Sequence, residues 1–267
     1  MNKRAFQKLV LDYYKKHKRI LPWREDITPY RIFVSELMLQ QTQVSRVEKK
    51  FHTFIQAFPT IYMLAEAPLA AVITAWSGLG YNRRARYLHE SAKMIVNDFH
   101  GEIPYDTHSL VLLPGVGENT AGAVRAYAYN APSCFVETNI RRVMLHHFFA
   151  DKTDVTDRKV LEIVKKTLDR SNPREWYWAL MDYGSYLAKV VANPNTQSAH
   201  YRKQSPFAGS ARQVRGSILQ TLTKDKQVTI NELKNATKGE NRHFDSALKS
   251  LVKENLVEIN GQQVMLP

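Results

Sequence analysis

The sequence contains very little cysteine: Cys134 is the single cysteine among 267 residues. One thiol cannot form an internal disulfide, and it cannot supply a four-cysteine zinc or iron–sulfur site. No run approaches about 18 consecutive apolar residues, so the sequence predicts no membrane-spanning helix. Residues 1–21 are basic and lack a long apolar core, so we expect no secretory signal and a cytoplasmic location.

Acidic residues are scarce relative to basic ones. Lys and Arg number 38 against 25 Asp and Glu, which makes the formal net charge +13 at pH 7. An excess of this size indicates a polyanionic partner, nucleic acid before an anionic membrane, although a soluble basic protein without such a partner also fits. Apolar residues make up 44% of the chain, which is enough to bury a sizeable core and excludes a mainly disordered protein.

Most of the chain is predicted to be helical. Apolar residues recur at spacings of three and four, and short Pro or Gly breaks separate these stretches. The spacing predicts an all-α domain of about ten short helices over residues 1–192. Residues 193–210 are polar and basic and are predicted to form a linker or an ordered loop. Residues 211–267 show three helices, a short strand and a hairpin that turns at Asn260-Gly261, which predicts a small winged-helix-like domain that contacts DNA or another protein.

Residues 112–122, LLPGVGENTAG, place two glycines between the apolar end of one helix and a new helix that begins near Thr120. Gly115 and Gly117 allow a tight turn, and amides exposed at a helix N-terminus can hold a phosphate oxygen. The pattern is typical of a helix-hairpin-helix motif that binds the DNA backbone whatever its sequence. An ordinary packing joint between two helices is the alternative.

Two carboxylates occur in contrasting surroundings. Glu36 lies in an apolar helical segment, residues 28–43, where burial would raise the pKa of a carboxyl and suit a general acid; a solvent-facing Glu36 is the alternative. Glu137 precedes a helix that contains Arg141 and Arg142. The helix dipole favours an ionised carboxylate there, and simple N-capping is the alternative role.

Together these motifs resemble the helix-hairpin-helix DNA glycosylase superfamily, which includes endonuclease III, and most closely its MutY-type adenine DNA glycosylases. The resemblance covers residues 1 to about 190. It is carried by LPWR at 21–24, SELMLQQTQ at 35–43, WSGLGY at 76–81, LPGVG at 113–117 and MDYG at 181–184. It implies two helical subdomains with the active site between them.

The resemblance implies a monofunctional enzyme that flips a mispaired adenine, opposite 8-oxoguanine or guanine, out of the duplex and leaves an abasic site. The acid at Glu36 would protonate N7 of adenine, and the carboxylate at Glu137 would stabilise the oxocarbenium-like sugar. Asn139 would position the sugar-phosphate or the water. Asn119 occupies the position of the Schiff-base lysine of bifunctional relatives, so strand cleavage should be absent.

The resemblance also implies a DNA-binding surface. Gln41 and Thr42 would wedge into the base stack near the estranged base, and Tyr81 would intercalate beside it. Basic residues that follow Tyr81, including Arg84, would contact phosphates. The predicted DNA-binding residues are Arg24, Gln41, Thr42, Tyr81, Arg83, Arg86, Gly115, Val116, Gly117, Thr120, Arg202 and Lys203. The predicted partner is double-stranded DNA with a mismatch or an oxidised base, bound by a monomer at the nucleoid.

The sequence departs from the family in several ways. The family has Asp at position 137, and the longer Glu could displace the carboxylate by about 1 Å, an error that can cost about 10²-fold in rate. The four cysteines that normally follow MDYG are absent, so we expect no cofactor, with Arg202 and Lys203 taking over part of the iron–sulfur loop's role. The tail is too short for the family's MutT-like domain, which recognises 8-oxoguanine.

Two alternatives remain open at this point. One is a thymine or uracil glycosylase that acts on mispairs with guanine. The other is a protein that binds mismatched DNA and excises no base.

Overall fold

The computed structural model describes residues 2–203 and 206–267. Within that part of the chain the structure consists of fifteen α-helices, two short 3₁₀ helices (Pro194–Gln197 and Asn241–His243) and one small sheet. The helices are α1 (Lys3–His17), α2 (Pro22–Glu25), α3 (Pro29–Leu39), α4 (Val44–Ala57), α5 (Ile61–Glu66), α6 (Leu69–Trp76), α7 (Arg83–Asp98), α8 (Thr107–Leu112), α9 (Glu118–Tyr129), α10 (Thr138–Phe148), α11 (Asp157–Thr167), α12 (Pro173–Val190), α13 (Ala211–Asp225), α14 (Ile230–Ala236) and α15 (Phe244–Lys253). The strands are β1 (Gln227–Thr229), β2 (Glu258–Asn260) and β3 (Gln263–Met265).

The prediction of a mainly helical fold is confirmed, with twelve α-helices up to Val190 where the periodicity predicted about ten. Local capping explains where several of them begin. The Thr60 side chain accepts a hydrogen bond from the Met63 amide at the start of α5, and Asn172 caps α12 with Pro173 in the first turn. No helix in the described ranges has both the length and the apolar character needed to cross a lipid bilayer.

The chain divides into two compact units. The first comprises Met1–Phe33, Tyr105–Leu112 and Val116–Lys203. Its core forms where α1, α10 and α12 pack together, and Phe6 meets the rings of Phe148 and Trp176 edge-on at 4.9 and 5.7 Å. This core holds α10, and therefore Glu137 at its N-terminal end, in a fixed place.

The second unit comprises Val34–Pro104, Leu113–Gly115 and Gln204–Pro267. The tail has the predicted winged-helix elements, with the antiparallel strand order β1-β3-β2 and Val228 and Ile259 both opposite Val264. The hairpin turns at Gly261-Gln262, one residue later than predicted, because Asn260 pairs with Gln263. Ile73 of α6 belongs to the hydrophobic core of the tail. The predicted segments 1–192, 193–210 and 211–267 follow changes in composition and local pattern along the chain. Such changes do not indicate that Ile73 packs into the hydrophobic core of the tail.

Candidate active site

Glu137 lies at the N-terminal end of α10 in extended backbone, and its side chain makes no capping hydrogen bond. The residue as a whole is partly exposed, but its Oε1 atom is buried and has no hydrogen-bond partner among the described residues. Burial raises the pKa of Glu137 to about 7, although Arg141, Arg19 and Arg142 act in the opposite direction. We predicted that the helix dipole would keep this carboxylate ionised. The raised pKa means instead that both protonation forms are populated at neutral pH.

Asn139, in the first turn of α10, is held in place by the next turn of its helix and by α12. The Nη1 atom of Arg142 donates to Asn139 Oδ1 at 2.6 Å and to the Gly184 carbonyl at 2.9 Å. A β-carbon on Gly184 would lie 2.6 Å from the backbone oxygen of Asn139. A side chain there is therefore sterically excluded, which explains why glycine follows Met181-Asp182-Tyr183 in α12.

Asn119 has a positioning role that its place in the motif did not predict. Its Oδ1 atom accepts a hydrogen bond from the Val136 amide at 3.0 Å. Since Val136 directly precedes Glu137, this bond ties the start of α9 to the backbone that carries the carboxylate. Participation of Asn119 in chemistry stays a prediction.

Arg24 was predicted to bind DNA, and the structure gives it an internal partner instead. Its Nη1 atom lies 2.9 Å from Asp182, and Arg19 Nε lies 2.6 Å from the same carboxylate. The Asp182 side chain is 1% exposed and that of Arg24 is 7% exposed. The pair ties the LPWR segment to α12 and leaves Arg24 little surface for a phosphate. Two arginines around one carboxylate also explain why Asp182 tolerates burial.

Glu36, on α3 in the second unit, is partly buried, and its neighbours Ser35 and Leu37 are fully buried. The end of this helix is anchored by Arg84 from α7. The Nη1 atom of Arg84 donates to the carbonyls of Leu37 and Met38 at 2.7 and 2.8 Å. These carbonyls belong to the last turn of α3 and have no intrahelical donor of their own, so the guanidinium caps the helix that carries Glu36.

Arg84 also holds the predicted wedge residues. Its Nη2 atom donates to Thr42 Oγ1 at 2.8 Å and to the Gly80 carbonyl at 3.0 Å, and its guanidinium lies 5.6 Å from the Tyr81 ring centroid. Burial lowers the pKa of Arg84 to about 10, so the group stays cationic at neutral pH. The prediction that Arg84 contacts phosphate is wrong, because the residue is 7% exposed and its donors are used inside the protein. The sequence did not reveal that Arg84 supports α3, because Arg84 stands in a run of basic residues that is typical of a DNA-binding surface.

Gln41 and Tyr81 both adopt left-handed backbone conformations, with φ of 54° and 48°. Such conformations are unfavourable for residues other than glycine and persist where the surrounding structure enforces them, which is common at functional sites. Gln41 is exposed and Tyr81 is 38% exposed. Both side chains are therefore available to a ligand, as their predicted role in DNA binding requires.

Arg83 and Arg86, also predicted to contact DNA, bind Glu254 at the end of α15. Arg83 Nη2 lies 2.6 Å from Glu254 Oε1, and Arg86 Nη1 donates to the Glu254 carbonyl at 2.6 Å. Burial alone would raise the pKa of Glu254, but hydrogen bonds from Arg83 and Arg215 outweigh burial and hold it at about 2. Half of the Arg83 side chain stays exposed, so a phosphate contact there remains a prediction.

The predicted hairpin motif forms between α8 and α9. Gly115 has φ +78°, and its carbonyl accepts a hydrogen bond from Gln40 Nε2 at 3.1 Å. Gly117 is the extended N-cap of α9. Both glycines are exposed, Thr120 is partly exposed, and Val116 is buried. The sequence correctly predicted the turn and the start of the second helix; its phosphate contact stays a prediction.

The residues present do not fit the iron–sulfur cluster of the family. Cys134 is partly buried, and burial raises the pKa of its thiol, which disfavours the thiolate that a metal needs. No group of three or more His, Cys, Asp or Glu side chains that could hold a metal occurs in residues 2–203 or 206–267. Arg202 and Lys203 are exposed, and their role in place of the cluster stays a prediction.

Comparison with known proteins identifies the family of this chain. Residues 34–170, about half of the chain, match the HhH-GPD superfamily of base excision DNA repair proteins. The chain belongs to this superfamily, as its motifs predicted. Within it, the chain is similar to proteins named adenine DNA glycosylase. The relative from Mycolicibacterium smegmatis is 35% identical, with 93% of this chain and 91% of that protein covered.

Other relatives have the same name but differ in length. The protein from Mycobacterium tuberculosis is 35% identical, with 93% of this chain and 88% of that protein covered. The protein from Buchnera aphidicola subsp. Baizongia pistaciae is 33% identical over 195 residues, and this chain spans 54% of its length. With 93% of this chain covered, the similarity to the mycobacterial relatives extends into the tail.

Solved structures show the same fold at lower identity. A thermostable thymine-DNA glycosylase matches with a TM-score of 0.61 and 23% identity, covering 68% of this chain and 86% of that chain. Endonuclease III, trapped as a covalent intermediate with DNA in an estranged-adenine complex, matches with a TM-score of 0.57 and 21% identity, covering 78% of this chain and 91% of that chain. The predicted helix-hairpin-helix glycosylase fold is confirmed.

Proposed function

We propose that this protein is a monofunctional adenine DNA glycosylase that removes adenine paired with 8-oxoguanine or guanine and leaves an abasic site. The observation that carries the proposal is the 35% identity to adenine DNA glycosylases over 93% of the chain. The polyanionic partner that the net charge of +13 predicts is then double-stranded DNA.

In the proposed mechanism two carboxyl groups act on one flipped nucleotide. Glu36 donates a proton to N7 of adenine, which turns the base into a better leaving group. Glu137 in its ionised form stabilises the positive charge that develops on the sugar, and water completes the hydrolysis. This chemistry needs two carboxyl groups and no metal.

The family has Asp where this chain has Glu137, so the placement of the longer side chain matters for the proposed mechanism. Its side chain is one methylene longer, and it points its Oε1 atom into a buried position without a capping bond. Asn119 and Arg142 fix the backbone and the neighbouring Asn139 around it. These supports favour a catalytic role for Glu137 over simple capping, because a capping carboxylate would bond the helix amides.

The test is a single-turnover assay on labelled duplexes that carry A opposite 8-oxoguanine, A opposite G, T opposite G or U opposite G. Products are separated with and without hot alkali. We expect alkali-dependent cleavage at adenine alone, and we expect Glu36→Gln to abolish it while duplex binding persists.

Each other result has a defined meaning. Cleavage at T or U alone would assign the protein to pyrimidine mispairs, and cleavage without alkali would refute the monofunctional reading of Asn119. Tight binding without cleavage on any duplex would favour a mismatch-binding protein. Excision retained by the Glu36→Gln variant would remove Glu36 from the mechanism.

A further inference from the structure

A cavity of about 480 Å³ in the second unit has walls from two distant parts of the sequence. Gln41 and Tyr81 line it from the central segment, and Arg212, Arg215 and Glu254 line it from the tail. We predicted DNA contacts for Gln41 and Tyr81, whereas the tail residues had no assigned role. The cavity therefore brings the predicted DNA wedge together with the winged-helix-like tail.

Ion pairs from partly exposed arginines to the buried carboxylate of Glu254 hold the tail against α7 at this cavity. Glu254 accepts hydrogen bonds from Arg83 Nη2 at 2.6 Å, from Arg215 Nη2 at 2.7 Å and from Ser250 Oγ at 3.0 Å. Glu254 is 8% exposed. A buried carboxylate that loses one of its cationic partners is strongly destabilised, so this arrangement resists separation of α13 and α15 from α7. Glu254 thus holds the tail residues of the cavity in place, as Arg84 holds the wedge residues.

The lining has the chemistry that recognises a nucleotide. Among the described residues that line the cavity, four are arginines, Arg83, Arg84, Arg212 and Arg215, and one, Glu254, carries a carboxylate. Arg83 and Arg215 both bond Glu254, and the lining keeps an excess of positive charge. Arginine forms paired hydrogen bonds with the O6 and N7 acceptors of a guanine-type base, and an exposed aromatic face such as that of Tyr81 stacks on bases. The volume lies in the range of small-ligand sites.

We propose that this cavity binds the purine nucleotide opposite the excised base, and that Arg212 of the tail takes part in recognising it. The inference rests on the proposed function, which supplies a purine at that position. Arg215 bonds Glu254 and Ser250, and Arg212, one helical turn earlier on α13, donates to the Pro206 carbonyl at 3.4 Å and also lines the cavity. The tail then contributes to the selection of the opposite base, in addition to its structural role.

The test measures binding without excision. The full chain is titrated by fluorescence anisotropy against duplexes that carry a non-cleavable 2′-fluoro adenine nucleotide opposite guanine, opposite 8-oxoguanine, or opposite an abasic residue. We expect Arg212→Gln to weaken binding about tenfold when a purine is present and less than about twofold when the opposite base is missing. Arg212→Lys keeps the charge but not the paired donors, so it should also lose most of the purine-dependent affinity.

Lys249→Gln is the matched control, because Lys249 is exposed on α15 and does not line the cavity. It removes the same charge from the tail and should affect all three duplexes alike, by about twofold or less. Equal losses on the three duplexes for Arg212→Gln would make Arg212 a general phosphate contact and overturn the proposal, as would no loss at all. A wild-type protein that excises no adenine would refute the proposed function, yet the binding comparison would still decide the role of Arg212.

Discussion

The burial of Glu137 predicts that one substitution stabilises the protein and abolishes its activity. Burial raises the pKa of this carboxyl to about 7, well above its ordinary value of 4.5. The folded protein therefore favours the protonated form, and the stability associated with it is fully present below about pH 4.5. That stability is lost as the pH rises through about 7, since the unfolded chain releases the proton more easily. Glu137→Gln keeps the shape and removes the titration.

The magnitude follows from the difference between the two pKa values. A difference of about 2.5 units corresponds to at most about 3 kcal/mol once the carboxyl is fully ionised. We expect Glu137→Gln to raise the free energy of unfolding by up to about 3 kcal/mol at pH 8, and by less than about 1 kcal/mol at pH 5. Excision should fall by at least about 10²-fold, because the neutral amide cannot balance charge on the sugar.

The assay is urea unfolding at pH 5 and pH 8, paired with single-turnover excision on the best duplex. Glu254→Gln is the matched control, because the pKa of Glu254 is lowered to about 2 by Arg83 and Arg215. Its ionised form stabilises the fold above about pH 4.5, and this contribution is lost as the pH falls towards 2, so the variant should be destabilised at pH 8. A Glu137→Gln variant that is no more stable than wild type at pH 8 would refute the reasoning.

Four further outcomes can be measured. On the acidic limb of the pH profile, where Glu36 keeps its proton, excision by the wild type should rise with the ionised fraction of Glu137, about one tenth at pH 6 and about nine tenths at pH 8; a limb without this rise would show that its ionisation is not needed. Gly184→Ala should lower the free energy of unfolding by about 1–3 kcal/mol because of the clash with Asn139, whereas Gly216→Ala, with open space around its β-carbon, should stabilise α13; equal effects would contradict the packing argument. Arg84→Met should cost about 3 kcal/mol, since it leaves buried carbonyls at the end of α3 without donors; an unchanged unfolding curve would show otherwise. Duplex affinity should fall steeply with salt, and a weak dependence would contradict binding through several phosphates.

The helical fold, the hairpin turn and the winged-helix tail could be predicted from the sequence because their signals are local. Apolar spacing, capping residues and glycines act within a few positions, and they predicted α3, the Gly115–Gly117 turn and the hairpin of the tail, whose turn lies one residue later than predicted. The motif order likewise identified the superfamily. These features depend on backbone preferences and on which face of a helix is apolar, and both can be read along one stretch of chain.

Only the tertiary structure decided the environments of the charged groups. The sequence alone does not distinguish Arg24 and Arg84 from arginines that bind DNA. In the structure each is buried against partners that lie far away in the sequence. Glu137 occupies a helix N-terminus that should favour its charge, yet desolvation by packed neighbours raises its pKa. Burial and ion pairing depend on contacts between distant segments, which no local pattern encodes. The motifs alone thus determined which residues are candidates for the proposed chemistry, and the packing around them decided which of these residues are buried, exposed or paired.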